Sequence, residues 1–393
     1  MLAIITSHPI QYQAPLWRAL AADGTIPFEV WFLTPHAQQP SYDREFGHTF
    51  AWDLDLLEGY PHRFLDIRPG WRLDRFNGIH LQRSWAEEFR TRGVTAVWLE
   101  GWRFRTLWQA VAAARRAGLR VCLRGESHGL APEPALRRLV KRAALGWFFA
   151  RVDHFLCIGT ANRRFYLDQG IAPDRLSEAP YAVDEARFAR AASLLRPQRA
   201  ELRRRWGIRD DAWCVLFCGK LIPKKRPLDL VRASRLRPDL SGRPLHLLFA
   251  GDGELAAEIK RELVRPGTPP GTVTGFLNQS EIPAAFVAAD CLALPSDYGE
   301  TWGLVVNESL ATGLPAVASD RCGCAEDLVR TQDPAQVYAG GDPAALATAL
   351  AHVVVHPPSS ERLRTLSASH VPECTVATVT NLLRDAVPPV PHV

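Results

Sequence analysis

The chain has 393 residues, 47% hydrophobic and 23% charged, with a formal net charge of +5. That length exceeds one average domain, and the composition is that of a folded globular protein, so two domains are expected. No apolar run reaches the ~20 residues of a bilayer span. The basic excess is spread along the chain without nucleic-acid motifs, so it suits an anionic ligand or membrane surface and not nucleic acid.

Strand-like and helix-like segments alternate from the start. Met1 to His8 has no basic n-region and no cleavage site, so it reads as a first strand and not as a signal peptide, which implies a cytoplasmic protein. Strands are expected at 2–7, 28–34, 96–101, 121–123 and 154–159. Helical patterns cover 12–22, 81–92, 104–117, 134–150 and 161–169. In the last but one, Leu136, Leu139, Val140, Ala143 and Trp147 share a face expected to pack on the sheet. Arg137, Arg138, Lys141 and Arg142 form another, with Phe148 beside it. A basic stripe next to an aromatic suits anionic headgroups, and a solvated helix is the alternative.

Residues 184–207 are charged, contain Pro197 and lack strand character, which marks a domain boundary. Beyond them strands are expected at 213–219, 245–250, 272–275, 291–294 and 316–318, and helices at 228–235, 255–264, 282–289, 304–311 and 325–329. Residues 360–386 are mostly helical in pattern. Alternation on this scale predicts an α/β fold with two parallel sheets covered on both faces by helices. Ligands are then expected at the C-terminal strand ends. Cys122, Cys157, Cys214, Cys218 and Cys291 fall in apolar runs as small hydrophobes. Cys322-Gly323-Cys324 lacks zinc spacing and suits a turn.

Three stretches at strand ends carry chemistry. Lys220 and Lys225 share the loop after 213–219 and repel each other unless an anion lies between them. Gly251-Asp252-Gly253 is a tight strand-to-helix turn. After 291–294, Glu300 falls in a glycine-bearing turn and Glu308 on the following helix. A strand, such a turn and a helix start present free N–H groups to an anion. Carboxylates beside them suit hydroxyls, and a ligand with both is a nucleotide sugar.

Glu300 and Glu308, with seven residues between them, resemble the E-x7-E signature of retaining glycosyltransferase family 4. The stretch from Phe217 to Pro227 is similar to that family's G-R-L-x-x-x-K loop, with Lys220 where Arg is usual. Gly251-Asp252-Gly253 and Thr274-Gly275-Phe276-Leu277 follow in family order. Pro180-Tyr181-Ala182-Val183-Asp184 resembles its P-N-G-V-D, with Tyr and Ala replacing Asn and Gly. The resemblance implies the GT-B fold, two Rossmann-like domains facing a cleft. Residues 1–190 would bind the acceptor, 191–362 the nucleotide sugar, and 363–393 would form a helix crossing back to the first domain.

It also implies roles. Lys220 and Lys225 would hold the diphosphate, Glu308 the ribose hydroxyls and Glu300 the reacting sugar. Backbone amides of Thr301, Trp302, Gly303 and Leu304 would face phosphate or sugar, Trp302 being equally suited to the core. Gly251, Asp252 and Gly253 would adjoin the donor. Phe276 and Leu277 would line its base or serve packing. In the first half, the strand-end rule puts His8, Gln11 and Arg124 near the acceptor, with Glu126 and His128 as candidates for catalysis beside Glu300 and Lys225.

The implied reaction is retaining transfer of a hexose from a nucleoside diphosphate sugar to a hydroxyl. The acceptor would be a saccharide or lipid-linked saccharide of a bacterial surface or exported polysaccharide, met by a cytoplasmic enzyme peripheral at the plasma membrane. Neither a metal nor another cofactor is implied, because lysines and amides supply the positive charge. A nucleotide-sugar 2-epimerase of the same fold and a non-catalytic nucleotide-sugar-binding protein are the rival readings.

Overall fold

In the computed structural model, which describes residues 1–36, 41–43, 48–384 and 386, the chain forms two compact α/β units. The first comprises Met1–Gln39, Asp55–Tyr181 and Pro372–Val393, and the second Pro40–Leu54 and Ala182–Val371.

The first unit is built on a parallel sheet of order β5-β2-β1-β6-β7-β8-β9. Its strands are β1 (Leu2–Thr6), β2 (Phe28–Phe32), β5 (His62–Phe64), β6 (Ala96–Glu100), β7 (Arg120–Arg124), β8 (His154–Cys157) and β9 (Leu176–Glu178). A short hairpin, β3 (Ser41–Asp43) with β4 (His48–Phe50), lies in sequence between β2 and β5 and belongs to the second unit. The helices are α1 (Ala14–Asp23), α2 (Trp85–Thr91), α3 (Arg105–Arg116), α4 (Ala135–Phe149) and α5 (Thr160–Asp168). All five residues of β1 are buried, as a central parallel strand covered on both faces requires. Gly24 stops α1 in the left-handed region, φ 64°, where its N–H reaches Leu20 O.

The second unit begins with α6 (Glu185–Leu195) and α7 (Arg199–Arg205). Its sheet runs β11-β12-β10-β14-β15-β16, with β13 also on β12. The strands are β10 (Trp213–Cys218), β11 (Asp239–Leu240), β12 (Arg243–Ala250), β13 (Gly271–Gly275), β14 (Cys291–Leu294), β15 (Ala316–Ser319) and β16 (Val337–Tyr338). All pairings are parallel except β11 with β12. The helices are α8 (Pro227–Leu236), α9 (Ala256–Leu263), α10 (Ile282–Ala288), α11 (Val305–Ala311), α12 (Pro343–Val355) and α13 (Ser360–Ala368). The last helix, α14 (Pro372–Leu383), returns to the first unit, where Val376, Val379 and Leu383 join the core beside β1.

Four details add to or depart from the sequence expectations. Residues 184–207 are helical, because Asp184 caps α6 through Arg187 N–H at 3.0 Å and the arginines serve structure. Arg203 is 2% exposed and donates to the carbonyls of Ala212 (2.6 Å) and Ala288 (3.0 Å) and to Asp290 Oδ2 at 3.2 Å. The region is charged because it ties α7 to a strand end. Helix α12, not foreseen, begins at an Asp342 cap and Pro343; its low amphipathicity hid it. Residues 325–329 form a single π turn. Finally, α4 reaches the core only through Leu145, Phe148 and Phe149, so the face assigned to the sheet is exposed and Phe148 is buried. The core takes the i, i+3, i+4 set at the helix end, and the earlier apolar residues lie on a different face.

Candidate active site

In the second unit the loops after β10, β12 and β14 are stitched together through their backbones. Leu221 N–H donates to Asp252 O at 2.8 Å, and Leu255 N–H donates to Leu221 O at 2.9 Å. That joins the Lys220 loop to the Gly251-Asp252-Gly253 turn, which Asp252 Oδ1 steadies by accepting Gly253 N–H at 2.8 Å. A Cβ on Gly251 would fall 1.9 Å from Gly219 O, so the approach demands glycine. Asp297 N–H donates to Lys224 O at 2.8 Å, while Asp297 accepts from Arg321 at 3.0 Å. The lysine loop and the glutamate loop are therefore one hydrogen-bonded body.

Within it, the Lys225 ammonium pairs with Glu300 Oε2, and Ser296 Oγ donates to the same oxygen at 2.9 Å. Burial draws the Lys225 pKa down, but the charge and hydrogen bond of Glu300 outweigh it, and the net direction is up. Lys225 is thus a fixed cation. The repulsion expected with Lys220 is relieved, at Lys225, by a carboxylate. Lys220 itself sits half-buried just after Gly219.

Gly303 takes φ 109°, and a Cβ there would come within 2.7 Å of Leu294 and 3.1 Å of Cys324 Sγ. Gly323 and Cys324 donate their N–H groups to the carbonyls of Glu300 (3.2 Å) and Trp302 (3.0 Å). The C-x-C stretch is therefore the turn that braces the glutamate loop. The Trp302 side chain is core, 3% exposed, with Nε1 donating to Asn307 Oδ1 at 2.8 Å. The N–H groups of Gly303 and Leu304 meet no acceptor among the described residues, while Thr301 is exposed.

Glu308, on α11, has its pKa raised to about 7, because burial outweighs the attraction of Arg187. Arg187 comes from α6 and is held by Gln279, donating to its O at 2.7 Å and its Oε1 at 2.6 Å. Phe276 and Leu277 follow β13. The Phe276 ring lies 4.5 Å from Phe50 and 6.3 Å from Trp52. Asn278 Nδ2 donates to Ala51 O at 2.8 Å, and Ser280 N–H to Asp53 Oδ2 at 3.0 Å, fixing residues 50–53 over this loop. Ser296, Arg187 and Arg321 were not singled out from sequence. Ser296 opens the glutamate motif, whereas the two arginines are distant in sequence and carry no local signal.

The first unit gathers a second polar cluster at the ends of β1, β6 and β7. Tyr181 hydroxyl donates to Glu126 Oε1, and Tyr12 meets the Tyr181 ring edge-on at 5.6 Å. Arg124, 3% exposed, lies 4.7 Å from the Tyr181 ring and donates to Ala179 O (3.4 Å) and Pro180 O (3.3 Å). Glu100, at the end of β6, stands 4.0 Å from Arg124 and accepts from Gln13 at 3.3 Å. Burial raises its pKa to about 7 despite Arg124. Sequence reading passed over Glu100, although its place at the end of an apolar strand run was a usable signal.

His128 Nδ1 accepts Leu130 N–H at 3.0 Å, so the neutral ring carries its proton on Nε2. His8 lies at hydrogen-bond distance from Ser7 Oγ, 2.8 Å, and edge-on to His36 at 5.1 Å. Burial, then His36 and Arg103, lower its pKa to about 4, which leaves it neutral near pH 7 and a weak base. Gln11 lies half-buried in the turn before α1. Among the described residues no group of three or more His, Cys, Asp or Glu side chains is placed to hold a metal ion.

Residues 198–368 match the family described as glycosyl transferases group 1. The chain is 30% identical over 261 residues to a D-inositol 3-phosphate glycosyltransferase of Thermomonospora curvata, covering 62% of this chain and 58% of that protein. It is 31% identical over 194 residues to a GDP-mannose-dependent alpha-mannosyltransferase of Mycobacterium tuberculosis, covering 49% and 46%. The chain thus spans about half the length of these curated relatives. Anabaena Alr3699/HepE, solved in complex with UDP and glucose, superposes with a TM-score of 0.68 at 15% identity, over 98% of this chain and 99% of that one. At that identity the likeness shows the fold.

Proposed function

We propose that the chain, whose residues 198–368 match the group 1 glycosyltransferases and whose two parallel-sheet units have the GT-B fold, is a retaining, metal-independent hexosyltransferase. The donor is a nucleoside diphosphate sugar. The acceptor hydroxyl belongs to a saccharide or lipid-linked saccharide of a bacterial surface or exported polysaccharide. The enzyme works in the cytoplasm, peripheral to the plasma membrane. The observation that carries this reading is the Lys225–Glu300 pair, locked under Ser296 in a loop bonded to the Lys224 carbonyl.

Lys225, held charged, faces the diphosphate together with Lys220 and the amides of Thr301, Trp302, Gly303 and Leu304. That arrangement stabilises the charge gathering on the leaving nucleotide without reorganising during the reaction. Glu300 binds hydroxyls of the sugar, and Glu308 those of the ribose. Gly251, Asp252 and Gly253 border the donor, and Phe276 and Leu277 its base. The sugar's C1–O bond to phosphate breaks while a C1–O bond to the acceptor forms on the same face. The acceptor proton passes to the leaving phosphate oxygen. In the first unit, His8 and Gln11 contact the acceptor, Arg124 shapes that site from beneath, and Glu126 and His128 serve the hydroxyl that attacks.

A panel of nucleoside diphosphate sugars, assayed for slow donor hydrolysis and then for transfer, tests this. Release of nucleoside diphosphate from one donor is expected. Conversion to a C2-epimer would favour the epimerase, and binding without turnover a non-catalytic protein. Retention is checked by the anomeric coupling in NMR of the product: a β-glycoside from an α-linked donor would overturn it.

A further inference from the structure

Helix α4 leaves an apolar face uncovered. Leu136, Leu139 and Val140 are 75%, 65% and 63% exposed, and Ala143 and Trp147 continue the same i, i+3, i+4, i+7, i+11 stripe in the open. The stripe runs on into an aromatic row. Trp147, 44% exposed, stacks on Trp108 at 5.7 Å and 13°, and Trp108 meets Phe76 edge-on at 6.0 Å. Phe76 is itself 49% exposed. The Arg151 guanidinium lies over the Trp147 ring, 3.8 Å from its centre.

The flanks of the stripe are cationic. Arg137, Arg138 and Arg142 are exposed, Lys141 is paired with Glu133 at 2.8 Å, and no acidic residue occurs from Ala135 to Phe149. A helix meant for water has no reason to leave three large aliphatic side chains outside. A second copy seated on this face about a twofold axis would bring the same arginines together, and their charges would repel. The occupant must be apolar in its depth and anionic at its rim.

We propose that this face docks the protein on an anionic phospholipid surface, with α4 lying in the interfacial plane. Leu136, Leu139 and Val140 enter the acyl boundary, Phe76 and Trp147 sit at the level of the headgroups, and the arginines meet phosphates. This differs from attraction of a basic stripe alone, because apolar insertion adds a part that salt does not remove. The inference does not rest on the donor site.

Co-sedimentation of the full chain with vesicles of phosphatidylglycerol and phosphatidylcholine, against phosphatidylcholine alone, tests it without any turnover. Much greater recovery with the anionic vesicles is expected, with a smaller, salt-insensitive share on the neutral ones. Replacing Arg137, Arg138 and Arg142 by Gln should lower partitioning on the order of a hundredfold, at about tenfold or less per charge near a membrane surface. Leu136→Ser, Leu139→Ser and Val140→Ser together should abolish the binding that survives at high salt. All six side chains are exposed, so thermal unfolding should be unchanged in both variants. Equal recovery with both vesicle types, undiminished binding of the Ser variant, or a dimer in sedimentation equilibrium that this variant dissociates would overturn the proposal.

Discussion

Among the described residues each unit holds one carboxyl whose pKa is raised to about 7, Glu308 in the second and Glu100 in the first, and the two are built differently. Glu308 has a single attracting charge, Arg187, which Gln279 holds and which lies 3.9 Å from Asp184 as well. Glu100 stands beside Arg124, itself 3% exposed, whose other contacts are carbonyls and a ring. Removing the Glu308 charge therefore leaves little behind, whereas removing that of Glu100 strands a buried cation. The contrast is between a carboxyl with one distant cation to answer and a carboxyl that faces a buried one.

The sharpest way to break that comparison is at the donor loop. Lys225→Ala and Glu300→Gln are each expected to weaken donor turnover ten- to a hundredfold, about 1.5–3 kcal/mol for a lost charge-assisted contact. As the two side chains act as a pair, the double variant should cost little more than the worse single one. Hydrolysis kinetics on the reactive donor check both statements. Parent rates in both single variants would sink the site.

Next in size is a pH effect. A carboxyl whose folded pKa is raised to about 7 is still protonated when the unfolded chain has begun to ionise near pH 4.5. The folded state then binds more protons, so stability falls as pH rises across that window and levels off above pH 7. Glu308→Gln should thus match the parent near pH 4.5 and exceed it by on the order of 2 kcal/mol at pH 8, measured by urea unfolding. Glu100→Gln should also match the parent near pH 4.5, where this carboxyl is already neutral, and should gain less than Glu308→Gln at pH 8, since Arg124 loses its ionised partner there. Equal gains in both variants would erase the distinction. Donor KM should also improve as pH rises through about 7 in the parent, because ionised Glu308 accepts hydroxyl hydrogen bonds without first losing a proton.

The smallest expected effect concerns the first unit. Glu126→Gln should slow transfer to acceptor about tenfold, a low value for general acid–base or hydroxyl positioning, while donor hydrolysis without acceptor stays at the parent rate. A Tyr181→Phe variant, which removes the donor to Glu126, should move in the same direction by less. If hydrolysis fell in step with transfer, Glu126 would belong with the donor residues.

Local chemistry made much of this legible. Strands of the central sheets are apolar runs of fixed length, and loops that end them in glycine and lysine or glutamate announce an anion site, so β10, β12, β14 and their loops stood out together with Lys225, Glu300 and Glu308. The order of motifs along the chain did the rest. Tertiary structure alone decided what met what. Glu300 became the counter-ion of Lys225, Cys322-Gly323-Cys324 became a brace, and Trp302 turned inward because Asn307 could take its indole N–H. Arg203 went to the carbonyls of Ala212 and Ala288, so a charged stretch became a buried fastening. On α4 the amphipathic period was plain, yet the core took Leu145, Phe148 and Phe149 and left Leu136, Leu139 and Val140 outside, because a helical pattern gives the faces and not which of them meets a neighbour.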